Sequence, residues 1–189
     1  MNGAEEACEG ALRQAEVIYF RLGQVLPCMW AVGLRRSVYA VPNTAEAMDQ
    51  RQQLLIGAHA LLARQVDAHW IGSTHEVWSQ EREVGSEVPA RGDLARMSAT
   101  DPTVRTSIVV HCLDVKTSEV AFGMSRLGLD RHGKPVWDSD LHDDVESPVM
   151  DGLNLSAKLC REMDIPVDPE AVLAMLDWSA VWNDHEEML

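Results

Sequence analysis

Apolar residues near the start of the chain recur at intervals of four, three, four, three and four positions, the spacing of one helix face. The stripe consists of Cys8, Leu12, Ala15, Tyr19, Leu22 and Leu26. Pro27 has no backbone N–H to continue a helical hydrogen-bond ladder. The pattern therefore predicts a first helix that ends before Pro27 and buries one face against a core.

The next part of the chain carries a different pattern. Residues 28–41 are rich in strand-forming side chains and have a predicted turn in their middle. Asn43, with Glu46 three residues later, is typical of an N-cap and its capping-box partner, and predicts a second helix that ends near Val66. Apolar and polar positions then alternate over residues 69–79, which indicates a strand.

Further strands are predicted at residues 104–113 and 120–129. Residues 130–133 form a predicted turn, with glycine at its left-handed position, that leads into another strand. Sequential strands joined by short turns make an antiparallel meander. The sequence therefore predicts an α+β core domain over residues 1–137, in which an antiparallel sheet of four to six strands carries two or three packed helices.

Residues 138–189 are predicted to form an acidic, mainly helical section that packs on the core or extends from it. One helix is predicted at about residues 148–163, and Asp168 followed by Pro169 is a strong helix start. The apolar positions assigned to this last helix are Val172, Met175, Leu176, Trp178, Val181 and Trp182.

The charge of the protein is concentrated in the same section. The chain has a net charge of −14, and residues 138–189 hold 14 Asp and Glu against Lys158 and Arg161, a net of −12. Such a field repels nucleic-acid phosphates, so direct nucleic-acid binding by this section is not expected. It attracts a basic protein surface, although an acidic surface also serves solubility alone. The residues predicted to contact a basic partner are Asp140, Asp143, Asp144, Asp184, Glu186 and Glu187.

Two groups of side chains are candidates for metal chemistry. His69 and His75 point to one face of the predicted strand while Glu76 points to the other, which weakens a site built from all three. Asp138, Asp140, His142, Asp143 and Asp144 place oxygen ligands at alternating positions. They lack the glycine and the final glutamate of a calcium loop. We therefore predict no catalytic residues, no metal and no cofactor. A metal-dependent hydrolase built on His69, His75, Asp138 and His142 is the alternative.

Three further sequence features bear on the cellular location of the protein. No run of eighteen apolar residues occurs, the N-terminus is acidic, and the four cysteines form no CxxC pair. These features predict a cytoplasmic protein with no membrane partner, and they leave homo-oligomerisation open.

The order of elements between residues 45 and 137 carries a resemblance. A helix is followed by a strand ending Glu76-Val77-Trp78, a long connection, Asp101-Pro102-Thr103-Val104-Arg105, an apolar strand and a return strand. This layout resembles uncharacterised small α+β proteins of actinobacteria and their phages. The resemblance implies no catalytic residues. The function expected from the sequence is a non-catalytic protein-binding or assembly protein, of a phage or mobile element, whose acidic C-terminal surface engages a basic partner.

Overall fold

The computed structural model describes residues 3–44, 46–49, 52–80, 97, 103–142, 147–162 and 167–185. Its α-helices are α1 (Gly3–Leu22), α2 (Gln52–Gln65), α3 (Pro148–Glu162) and α4 (Pro169–Met175), and a 3-10 helix spans Glu46–Asp49. Its strands are β1 (Cys28–Gly33), β2 (Arg36–Pro42), β3 (Ala68–Gln80), β4 (Val104–Asp114), β5 (Val120–Leu129), β6 (Pro135–His142) and β7 (Trp178–Asp184).

The strands form one seven-stranded sheet in the order β6-β5-β4-β3-β1-β2-β7, and all neighbours are antiparallel. The α+β class and the antiparallel meander of β4, β5 and β6 are confirmed. The predicted strand number was too low, because the C-terminal section contributes β7 to the edge of the sheet. In the described residues, two α-helices lie in the predicted core domain and two in the C-terminal section.

Both faces of the sheet are covered in its centre. On one face, α2, α3 and α4 enclose a core with Ile71 and Leu113 fully buried at its middle. On the other face, α1 packs against β4 and β5 through Cys8 and Leu12. Because β4 is covered on both sides, its residues Ile108–Leu113 are all buried, which explains why all of them except His111 are apolar.

Helix α1 ends earlier than its apolar stripe. It stops at Leu22, and Gly23 follows with a φ of 75°, a left-handed conformation that glycine adopts without strain. The Gly23 N–H donates to the Tyr19 carbonyl at 2.7 Å, which closes the last turn. The prediction that the helix includes Leu26 was therefore wrong, and Leu26 is 49% exposed in the connection to β1.

The last predicted helix was wrong over its second half. Helix α4 ends at Met175, and Asp177 turns the chain with a φ of 56°. Residues Trp178–Asp184 then form β7 beside β2. The indole N–H of Trp178 donates to the Ala47 carbonyl at 3.1 Å, which ties the start of β7 to the 3-10 helix. Trp178, Ala180 and Trp182 pack on the core while Ser179 and Val181 are exposed, a period of two that the helical spacing of the apolar residues concealed.

Candidate functional site

The face covered by α2, α3 and α4 carries a row of rings across β3–β6. The ring centroids of His75 and His111 are 6.3 Å apart, those of His111 and Phe122 are 5.1 Å apart, and those of Phe122 and His142 are 6.1 Å apart. The structure thus places two of the predicted metal candidates, His75 and His142, in one row. Phe122 lies between the strand of His111 and that of His142.

The other candidates lie away from this row. His69 is six residues from His75 along β3, a distance of roughly 20 Å for an extended strand. Asp138 lies opposite Arg126, four residues before His142 on β6. As the alternation requires, Glu76 points to the other face, where its Oε2 accepts the N–H of Val25 at 2.8 Å.

Burial keeps the paired histidines neutral. Burial lowers the pKa of His75, and burial together with the nearby His75 lowers the pKa of His111 to about 4. The Nε2 of His75 and the Nδ1 of His111 are buried without a hydrogen-bond partner. Catalytic zinc sites use three protein ligands, and the described residues contain no group of three or more His, Cys, Asp or Glu arranged to hold a metal.

Two of the six residues predicted to bind a basic partner are described, namely Asp140 and Asp184. Asp140 accepts from Arg126 at 2.9 Å, and Asp184 pairs with Arg36 at 2.9 Å. They lie on β6 and β7, the two outermost strands of the sheet order. Asp143, Asp144, Glu186 and Glu187 lie outside the described residues.

A cavity of about 350 Å³ lies beside α1, over the part of the sheet formed by β1, β2 and β7. Its walls come from α1, the connection to β1 and strands β1, β2, β3 and β7. The lining residues are Ala11, Gln14, Ala15, Ile18, Leu22, Gln24, Val25, Leu26, Cys28, Trp30, Tyr39, Val41, Thr74, Val181 and Asn183. Three large apolar side chains of this lining are strongly exposed: Leu22 is 71%, Leu26 49% and Val181 57% exposed.

The cavity arises because α1 packs against β4 and β5, and no other described element covers the β7 side of this sheet face. Trp30 forms part of the cavity wall, and its indole N–H donates to Thr74 Oγ1 at 3.1 Å. Gly72 lies directly opposite Trp30 on β3 and leaves room for the indole. A rigid aromatic side chain therefore lines an uncharged recess.

The lining of the cavity combines apolar and neutral polar side chains. Among the described residues, its lining contains no Asp, Glu, Lys, Arg or His. Burial raises the pKa of the Cys28 thiol to about 12, so this cysteine is not a thiolate nucleophile at neutral pH. Burial also raises the pKa of Tyr39. Concave, mainly apolar recesses of this size are the usual form of a ligand-binding site.

Sequence reasoning missed this cavity for an identifiable reason. Leu22 and Leu26 belong to the stripe of the first helix, which the sequence assigns to a core, and Val181 was assigned to a helix. Val181 reaches the same cavity as Leu22 and Leu26 only because β7 pairs with β2, which places Val181 opposite Tyr39. A single sequence shows no periodicity that links residues 11–30 to residues 181–183.

Comparison of the chain with protein-family models, with curated proteins and with solved structures gives no match. Among the described residues, no helix has the length and apolar character needed to cross a membrane.

Proposed function

We propose that the protein is a non-catalytic protein-binding module, and that the cavity beside α1 receives an apolar side chain of its partner. The observation that carries this proposal is the uncharged cavity of about 350 Å³ rimmed by the exposed side chains of Leu22, Leu26 and Val181. Exposed apolar groups that surround a recess are a common feature of protein interfaces. Buried anchor side chains in such recesses supply much of the binding energy.

The position of β7 supports a protein partner. β7 is the last strand in the sheet order, and Val181 is both exposed on it and part of the cavity lining. From Trp178 to Asn183 the strand has no charged side chain, whereas charged residues are a usual protection of a free edge. A partner can therefore approach the strand and the cavity together.

The charge of the protein supports a basic partner. The net charge of −14 favours encounter with a positively charged surface and raises its association rate at low salt. Asp184, one of the two predicted partner-contacting residues that the structure describes, follows directly after Asn183, which lines the cavity. The proposed partner thus combines an apolar anchor with basic residues close to it.

Site-specific crosslinking tests the proposal. A photoreactive phenylalanine replaces Val181 in the full chain, or Val136 as the matched control on the opposite edge strand, where valine is 45% exposed. The chains are irradiated in an extract of the cells that naturally make the protein. We expect a protein adduct from position 181 and none from position 136.

A second substitution connects the adduct to the cavity. Ala11→Phe places a ring in the lining, whereas Ala171→Phe places the same ring at an exposed position of α4. We expect Ala11→Phe to remove the adduct at position 181 and Ala171→Phe to leave it. An adduct that survives the filling of the cavity, or that forms equally at position 136, contradicts the proposal.

A further inference from the structure

A second cavity lies on the other face of the sheet, beside α2 and α3, and has a different chemistry. It measures about 470 Å³ and collects residues from the end of α2, the start of β3, the turn between β4 and β5, and the end of α3. Its lining consists of Arg64, Asp67, Ala68, Val115, Lys116, Cys160, Arg161 and Glu162. Three cations and two carboxylates therefore face one recess, in a protein with nearly twice as many acidic as basic residues.

The cations of this recess are not used by the fold as ion-pair partners. Among the described residues, the ion pairs are Arg13–Glu9, Arg36–Asp184 and Arg126–Asp140, and neither Arg64 nor Lys116 forms one. The charges of Arg64 and Lys116 are therefore not neutralised by a carboxylate at ion-pair distance in the described residues, and they are available to an anion from outside.

The backbone holds the three cations on rigid supports. Arg161 donates a hydrogen bond from its guanidinium to the Val115 carbonyl, which fixes the direction of the side chain. Asp114 accepts the N–H groups of Lys116 at 2.7 Å and of Thr117 at 2.8 Å, which fixes the turn that carries the lysine. Arg64 lies in the last turn of α2. The Arg161 guanidinium, which its hydrogen bond to Val115 orients, therefore loses less side-chain entropy on binding an anion than an unrestrained arginine does.

Interaction with the helix dipoles explains the positions of only two of the three cations in the recess. Basic residues in the last turn of a helix interact favourably with its dipole, and this accounts for Arg64 and Arg161. It does not account for Lys116, which belongs to a turn between two strands and lines the same recess. Cys160 does not add a negative charge, because burial raises the pKa of its thiol.

We propose that this recess, formed by Arg64, Lys116 and Arg161, binds the phosphate group of a small phosphorylated molecule. Guanidinium groups bind phosphate through paired N–H donors, and lysine adds a compact positive charge. Asp67 and Glu162 disfavour an anion at their own positions, so the phosphate lies towards the three cations. A volume of about 470 Å³ leaves room for an organic group beyond the phosphate.

Calorimetry with two probes, inorganic phosphate and glucose 6-phosphate, tests this proposal at constant ionic strength. Lys116→Ala removes one cation of the recess, and Lys134→Ala removes the same charge from the exposed turn between β5 and β6. We expect both probes to bind and glucose 6-phosphate to bind more tightly. We expect Lys116→Ala and Arg64→Ala to weaken binding by about tenfold each, and Lys134→Ala to leave it unchanged.

Three outcomes contradict the proposal: no binding of either probe, equal weakening by Lys134→Ala, or equal heat from chloride at the same ionic strength. Tighter binding of inorganic phosphate than of glucose 6-phosphate would contradict the proposal that the recess accommodates an organic group beyond the phosphate. Circular dichroism checks that each variant is folded. We expect Lys116→Ala to fold, because the turn is held by the backbone N–H of residue 116, which alanine retains.

Discussion

Asp140 and Asp184 lie on opposite edges of the sheet, and each pairs at 2.9 Å with an arginine of the neighbouring strand. Six strand spacings separate the two edges, which corresponds to roughly 29 Å. The two aspartates therefore belong to separate surfaces, although both lie in the acidic C-terminal section. A basic partner with a small interface can therefore contact Asp140 or Asp184, but not both.

Charge reversal at the two edges should therefore have unequal effects. Asp184→Lys places a positive charge next to the proposed cavity, whereas Asp140→Lys places it on the far edge. We expect Asp184→Lys to reduce crosslinking at position 181 several-fold at low salt, with a smaller effect at high salt, because exposed charges are screened. Equal reduction by both variants would indicate long-range steering by net charge and no contact at Asp184.

Most of the sheet could be predicted from the sequence because its strands obey local rules. β3 alternates between faces, and β4 to β6 follow one another through short turns, so neighbouring strands in sequence are neighbours in space. β7 also alternates between faces, but it does not pair with the strand that precedes it in the sequence. It pairs with β2 across more than 130 residues, and its register brings Trp182 opposite Val38. The segment is a strand because it pairs with β2, although the spacing of its apolar residues is also compatible with a helix.

The candidate sites were less predictable than the fold. The sequence drew attention to histidines and aspartates because those side chains have recognisable chemistry. The cavity beside α1 is lined by common residues such as Leu22 and Val181, whose exposure is visible only in three dimensions. Arg64, Lys116 and Arg161 are likewise far apart in the chain, and the fold alone brings them to one recess.

The packing of Trp30 against Gly72 should be sensitive to a single methyl group. A Cβ at position 72 would overlap the Trp30 ring and the His111 carbonyl, so we expect Gly72→Ala to cost about 1–3 kcal/mol in the free energy of unfolding. Gly10 has no neighbour within 4 Å of such a Cβ, and Gly10→Ala in α1 should stabilise by about 0.5–1 kcal/mol. Urea unfolding measures both. Equal stability of Gly72→Ala and the parent chain would contradict this packing.

The hydrogen bond of Trp178 should stabilise the edge strand. Trp178→Phe leaves the Ala47 carbonyl without the indole N–H that lies 3.1 Å away, and we expect a loss of about 1 kcal/mol in the free energy of unfolding. Trp137→Phe is the matched control, because the Trp137 indole nitrogen has no hydrogen-bond partner. Urea unfolding of both variants distinguishes them. A larger loss for Trp137→Phe would show that ring packing outweighs this hydrogen bond.

Buried histidines should make the fold sensitive to mild acid. His59 is 3% exposed, its Nε2 lies 2.9 Å from the Trp30 carbonyl oxygen, and burial lowers its pKa from 6.5 to about 4. Below pH 6.5 the unfolded chain binds a proton at this residue that the folded chain does not bind. Stability is therefore full above pH 6.5 and falls as the pH drops towards 4.

The expected loss from His59 alone is about 2 kcal/mol between pH 6.5 and about pH 5, since one pKa unit corresponds to about 1.4 kcal/mol. The lowered pKa values of His75 and His111 act in the same direction, and the raised pKa of Glu76 partly opposes them. Urea unfolding at both pH values measures the sum. His59→Gln should reduce the difference by about 2 kcal/mol, whereas His132→Gln, at an exposed turn, should not change it. Parallel pH curves for the parent chain and His59→Gln, or an NMR titration of His59 near its ordinary pKa, would show that this histidine does not carry the acid sensitivity.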